Sequence, residues 1–256
     1  MSIHRVVAFC ATAAFTLLAA RTAYGDGPDA GAMMRLADET MYPPSFSMTA
    51  TITTERPGRA DSTMTLEIFH KANIGSFMEV SAPARMKGTR FLQTDEALYM
   101  YSPRAGSRSS LRLSPRESFQ GSVFSNNDVG DSTWANDYEP AIEGTETIDH
   151  PEFGRVEVWV LSGTALRRDV PYGSIRIYLS KDRLLPLRLE YFAKSGLLLK
   201  TMVLSGYSSV AGRLRPSRLV MTEENGAGER SIVVIGDLVS RSDLPDAMFN
   251  QAWLTK

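Results

Sequence analysis

The sequence predicts a mainly β chain of about 11–12 strands that curls into a barrel or half-barrel, with one N-terminal helix and short lid helices. Three observations carry this. Segments that alternate apolar and polar residues recur at short spacing from Phe46 to Leu238. Most connections between them hold too few residues for a crossover helix, so neighbouring strands must be antiparallel. About a dozen strands also exceed what an open twisted sheet holds without curling.

The first 25 residues read as a secretory signal. Met1-Ser-Ile-His-Arg5 gives a basic start, Val6 to Ala20 an apolar run too short to span a bilayer comfortably, and Ala23-Tyr-Gly25 small residues at the two inspected positions. Cleavage is expected before Asp26, leaving 26–256 as one domain. Cys10, the only cysteine, lies inside the apolar run, and the bulky Phe9 before it argues against lipid attachment. The mature chain then has no disulfide, no thiolate nucleophile and no Cys metal site. Loss of Arg5 and Arg21 leaves 26 basic against 29 acidic residues, a formal charge of −3. That balance argues against nucleic-acid binding. No later apolar run approaches 18 residues, so a soluble periplasmic protein is expected, with simple secretion as the alternative.

In chain order, Met33, Leu36, Ala37 and Met41 recur at helical spacing until Pro43-Pro44 stops the helix. The period then changes to two. Met48, Ala50 and Ile52 alternate with threonines, Arg56-Pro-Gly58 turns the chain, and Met64, Leu66 and Ile68 alternate in the returning strand. Strands are expected at 76–82, 89–94, 97–101 and 107–113. Further ones follow at 138–148, 156–163, 174–180, 187–193, 197–207, 214–223 and 229–238, with a short tail stretch as an optional last one. Val156 to Leu161 and Ser231 to Ile235 are apolar on both faces, so helix or loop should cover the outer one.

The stretch from Pro83 to Val129 stands apart. It carries Arg104, Arg108, Arg112 and Arg116 at a spacing of four, with no acid between Ala97 and Arg116. Ser114-Pro-Arg-Glu117 has the residues of a helix start, with a capping Ser, a Pro at the first position and a Glu three residues on. Phe119, Val123 and Phe124 then lie on a segment too rich in Gly and Ser to stand alone as a helix. Two readings fit: a lid hinged near Gly121 and Gly130, or a fixed connection packed on a core. If 107–113 is a strand, Arg108 and Arg112 share a face that could hold a phosphate, a carboxylate or an acidic partner, or could simply be solvated.

Motifs for catalysis are missing. The two histidines after the signal, His70 and His150, sit apart in turn-proximal contexts and read as surface or edge residues. No phosphate loop, nucleophile elbow or paired-His metal spacing occurs. Twelve methionines, several in strands, suit either an adaptable interior or ordinary core filling.

Laid out this way, the chain resembles the outer-membrane lipoprotein-sorting family, the LolA-like periplasmic carriers. The resemblance lies in Ala82-Pro-Ala-Arg-Met-Lys-Gly-Thr-Arg-Phe-Leu92, Leu98-Tyr-Met-Tyr-Ser-Pro103, Ser118 to Val129, Asp182-Arg-Leu-Leu-Pro-Leu-Arg-Leu-Glu-Tyr191, Lys200-Thr-Met-Val-Leu204 and Leu244-Pro-Asp-Ala-Met-Phe249. It implies an unclosed antiparallel barrel, lidded by helices, whose apolar cavity shelters acyl chains without catalysis, cofactor or metal. The residues implied to meet the chains are Met64, Leu66, Ile68, Phe91, Met100, Phe119, Val123 and Phe124. Arg104, Arg108 and Arg112 are expected to meet a headgroup or partner. Implied partners are lipoprotein or lipid acyl chains, an inner-membrane transporter and an outer-membrane acceptor, for a monomeric carrier. A lipid-sensing regulator or an accessory subunit of a lipid transporter is the alternative. Where the family usually has an acid, this chain has Val123, so a lid-locking salt bridge is not expected there.

Overall fold

The structure is a computed structural model that describes residues 28–105, 109–130, 133–226 and 228–256. The signal segment and its cleavage site lie outside the described residues, as does Arg108.

Helix α1 (Ala30–Met41) starts where Asp29 accepts the Gly31 and Ala32 amides, satisfying donors that the first turn leaves unpaired. It buries Met33, Met34, Ala37 and Met41. The strands follow as β1 (Ser45–Glu55), β2 (Ser62–Lys71), β3 (Gly75–Ala82), β4 (Arg90–Gln93), β5 (Leu98–Tyr101) and the short β6 (Leu111–Arg112). After the lid segment come helix α2 (Asn126–Val129) and helix α3 (Trp134–Asp137). Next are β7 (Tyr138–His150), β8 (Gly154–Ala165), β9 (Ser174–Ser180), β10 (Pro186–Phe192) and β11 (Leu198–Ser205). The chain then forms β12 (Ser208–Val210), β13 (Arg213–Arg215), β14 (Arg218–Glu223), β15 (Arg230–Ser240) and a final helix α4 (Gln251–Leu254).

Among the described residues, 13 strands make one sheet in the order β6-β5-β4-β3-β2-β1-β15-β14-β11-β10-β9-β8-β7, while β12 and β13 form a separate hairpin. Every pairing is antiparallel, and β1 sits mid-sheet because it pairs with both β2 and β15. The edges β6 and β7 do not pair with each other, so the barrel stays open there. α1 and the lid segment fill the concave side.

The alternation read from sequence sets the faces. In β1, Phe46, Met48, Ala50 and Ile52 point into the main core, and in β2 Met64, Leu66 and Ile68 meet them across the register Met48–Ile68, Ala50–Leu66 and Ile52–Met64. The outer face is covered at the first of the two expected places only: Val158 and Val160 are buried against Leu185, Leu187, Tyr207 and Leu214, whereas Val234 of Ser231 to Ile235 is 46% exposed. Phe77 and Leu92, on the opposite face from Met78 and Phe91, pack beneath Leu244, Phe249 and Leu254 of the C-terminal segment. Lys71 pins that segment by donating to the Asp246 carboxylate at 2.6 Å and the Leu244 carbonyl at 2.8 Å.

Five further expectations are corrected. Ser114 does not start a helix: Pro115 to Glu117 form a turn closed by the Glu117 amide on the Ser114 carbonyl, and the chain folds back so that Ser118 pairs with Ser125. The cause is local, since Gln120 (φ 51°) and Gly121 (φ 76°) are both left-handed and no right-handed helix runs through them. The strand expected at 107–113 is confined, among the described residues, to Leu111–Arg112. The expected 214–223 strand is two, split by Pro216-Ser217. The tail is a 3-10 turn followed by α4 rather than a strand. His150 is buried, with Nε2 at 2.8 Å from the Leu204 carbonyl.

Candidate functional site

The concave face of the sheet encloses a cavity of about 920 Å³. Its floor is aliphatic and rich in methionine: Met48, Ala50 and Ile52 from β1, Leu66 and Ile68 from β2, Met78 from β3, and Met202 and Met221 from β11 and β14. Its roof is aromatic, built by Tyr42 after α1, Phe124 of the lid, Trp134 of α3, and Tyr138, Tyr172 and Tyr191. The rim is polar, with Asp38, Glu39, Asn73, Asp95, Asn127, Asn136 and Arg213. A largely apolar volume of this size, with a polar rim and a few buried polar groups such as Asp128, Arg215 and Ser76 at its wall, suits one amphipathic ligand.

The residues expected to meet a ligand divide into two groups. Leu66, Ile68 and Phe124 line the cavity. Met64, Phe91, Phe119 and Val123 belong to the same buried core but do not border the cavity, with Met100 partly buried against them. Phe119 is fully buried, its ring centroid 4.9 Å from that of Phe91. Gln120 reaches the Met100 sulfur at 3.4 Å. These five side chains form the packed base of the lid rather than its inner surface.

The segment Ser118–Gly130 is held from several sides. Arg56 donates to the Gly121 carbonyl, and Ser231 accepts the Val123 amide at 2.9 Å. Lys200 of β11 donates to the Val123 carbonyl at 2.5 Å and to the Tyr172 hydroxyl at 3.0 Å, with its Nζ 3.8 Å from Asp128. Asp128 in turn accepts from the Tyr172 hydroxyl and the Ser125 amide, both at 2.7 Å, and closes a capping box with Ser125 that starts α2. A lid-locking ion pair is therefore present after all, supplied by Asp128 instead of position 123. Burial lowers the Lys200 pKa against the pull of Asp128 and Glu223. Burial beside Asp128 raises that of Tyr172 far enough to keep its phenol protonated and donating.

Asp38 couples α1 to α3, its two carboxylate oxygens accepting the Trp134 and Ala135 amides at 2.9 Å each. Burial pushes its pKa up to about 6; those two amides oppose the shift, and Asp137 and Glu39 add to it. A raised native pKa means that protonation favours the fold: this contribution is full below the unfolded value near 4 and is lost as pH rises through about 6. Carboxyl-carbon NMR should give Asp38 a midpoint near 6, and Asp38→Asn should flatten the fall in stability between pH 4 and 6. A midpoint near 4 would contradict this.

The basic series is a surface feature where it is described. Arg104 is exposed and donates to the Ala84 carbonyl at 2.8 Å, while Arg112, also exposed, donates to the Glu96 carbonyl at 3.2 Å. Arg104→Ala and Arg112→Ala should each change stability by no more than about 0.5 kcal/mol, read from urea unfolding. A larger loss would make them structural.

Sequence reasoning missed Tyr42, Trp134, Tyr138, Tyr172 and Tyr191, which reach the cavity from elements far apart in the chain. The Ser125-Asn-Asn-Asp128 spacing was a legible helix start that the Ser114 motif obscured.

The chain is similar to solved structures over most of its length. A LolA superfamily protein from Nitrosomonas europaea superposes with a TM-score of 0.79 at 27% identity, covering 89% of this chain and 100% of that one. A DUF1329 family protein from Desulfovibrio piger gives 0.75 at 20% identity, covering 88% and 97%. A domain from Vibrio parahaemolyticus named for outer membrane lipoprotein sorting gives 0.73 at 19%, covering 89% and 98%. A family model described as an uncharacterized protein matches residues 73–256. No match was found among curated proteins.

Proposed function

This chain belongs to the uncharacterized-protein family whose model matches residues 73–256 and is LolA-like, and from that premise we propose that it is a carrier of lipid or lipoprotein acyl chains. The observation that carries the reading is the 920 Å³ cavity, with its methionine and aliphatic floor, aromatic roof and polar rim. Methionine is the fitting floor residue for a carrier because its unbranched, polarizable side chain repacks around tails of different shape. The Nitrosomonas relative, 27% identical, is a LolA superfamily protein, and that supports a LolA-like reading of this chain.

Binding must also be reversible. A buried methylene gains roughly 0.8 kcal/mol, so a chain of about 16 carbons gains on the order of 12 kcal/mol. That would hold cargo for very long times unless part of it is offset. Opening the lid breaks the hydrogen bond from Lys200 to the Val123 carbonyl and its ion pair with Asp128, and this supplies the offset. In this reading residues 1–25 are a cleaved leader, 26–256 work as a periplasmic monomer, and cargo passes from an inner-membrane transporter to an outer-membrane acceptor. No chemical step is assigned to the chain.

The test is mass spectrometry of lipid extracts from protein isolated without detergent. Stoichiometric acyl lipid or acylated peptide supports the proposal. Its absence, together with failure to take up added lipid, removes it.

A further inference from the structure

The end of the barrel at which β8 and β10 finish has its own chemistry. In an antiparallel sheet alternate turns share an end, so the β8–β9 loop (166–173) and the β10–β11 turn (193–197) lie together, opposite the β2–β3 and β4–β5 turns that carry Asn73 and Asp95. The two connections are joined firmly. Gly173 donates to the Phe192 carbonyl at 2.8 Å and accepts from the Ala165 amide at 3.1 Å. A Cβ at Gly173 would lie 2.6 Å from the Lys194 Cα, so only glycine lets the backbones approach this closely.

On this fixed tip two leucines face solvent, Leu166 at 52% and Leu197 at 53% exposure. Around them stand Arg167, Arg168 and Lys194, which line a shallow groove of about 490 Å³ between the two connections. Arg167 is neutralised locally, paired with Asp137 at 2.8 Å and Asp169 at 3.4 Å. Among the described residues Arg168 and Lys194 have no ion-pair partner. Arg116 adds a further cation beside them, its guanidinium donating to the Arg168 carbonyl at 2.9 Å. Glu117 is the nearest acid along the chain to Arg116.

We propose that this tip docks the protein on an anionic bilayer surface, with Leu166 and Leu197 inserted among the headgroups and Arg168, Lys194 and Arg116 set against lipid phosphates. Exposed leucines flanked by uncompensated cations match the two layers of a membrane interface, apolar boundary below and phosphate above. A protein partner would be expected to cover the leucines with a complementary apolar surface, whereas a bilayer requires only that both leucines project from one rigid edge. The proposal does not depend on what the cavity carries.

The test is co-sedimentation with vesicles of equal parts phosphatidylglycerol and phosphatidylcholine, beside vesicles of phosphatidylcholine alone. Wild type should sediment with the anionic vesicles, bind the neutral ones weakly, and be released by added salt. The double change Arg168→Gln with Lys194→Gln should weaken partitioning about thirtyfold. Leu166→Ser with Leu197→Ser should weaken it while leaving salt release intact. Both pairs are exposed, so unchanged melting curves should accompany the losses. Ala50→Trp, placed inside the cavity, should leave vesicle binding as in wild type, which separates docking at the tip from extraction of lipid into the barrel. Wild type remaining in solution with anionic vesicles, binding both compositions equally, or sedimenting as strongly after the tip substitutions would each overturn the proposal.

Discussion

Phe119→Asp should unfold the domain. The ring is fully buried against Phe91, beneath a turn that Arg56 and Ser231 hold in place. Removing a buried Phe costs about 3–5 kcal/mol, and an unpaired carboxylate in the same site adds several more. That sum is comparable to the roughly 5–15 kcal/mol that holds a domain together. Circular dichroism melting should show the native transition lost for Phe119→Asp and strongly lowered for Phe119→Ala. A melting temperature within a few degrees of wild type would mean that Phe119 sits on a surface that opens. Phe124, Val129 and Trp134 border the cavity, while Phe119 anchors the segment in the core behind them.

Lys200→Met should release the lid and spare the barrel. Its ammonium ties the Val123 carbonyl, Tyr172 and Asp128 together, and the Asp128 side chain is almost fully buried. Methionine keeps the apolar stem but strands the carbonyl and removes the counter-charge. Charge-assisted hydrogen bonds of this kind are worth about 1.5–3 kcal/mol each, and Asp128 keeps two other donors, Tyr172 and Ser125. A loss of about 3 kcal/mol is expected, lowering the melting temperature by roughly 6–12 °C for a domain of this size. Hydrogen exchange should locate the change: amides from Ser122 to Gly130 should speed up while those of β1, β2 and β15 stay protected. Uniform acceleration across the sheet would mean that Lys200 supports the whole fold.

Local periodicity made the sheet readable. The alternation through Met48, Ala50, Ile52 and Met64, Leu66, Ile68 fixed both the strands and the buried face, because period two leaves a strand one way to bury a side. The same alternation could not separate Met64 from Leu66, which share that face; only the lid's position decides that Leu66 borders the cavity and Met64 does not. The lid was least readable. Its course depends on left-handed backbone at Gln120 and Gly121 and on Lys200 reaching it from β11, and neither is written in a local pattern. Likewise the aromatic roof draws Tyr42, Tyr138, Tyr172 and Tyr191 from points spread over some 150 residues, so it exists only once the sheet has curled.

The central claim is that the concave face holds an apolar chain, and Ala50→Trp tests it most directly. Ala50 points from β1 into the cavity, so an indole there occupies ligand space; because Ala50 is also buried beside Leu66 and Ile235, the change is expected to cost about 1–3 kcal/mol of stability. Equilibrium titration of a fluorescent long-chain fatty acid should show saturable binding to wild type. Ala50→Trp should weaken it at least about tenfold, or 1.4 kcal/mol, with a cooperative native melting transition retained. No saturable binding by wild type, or equal affinity in both proteins, would contradict the claim.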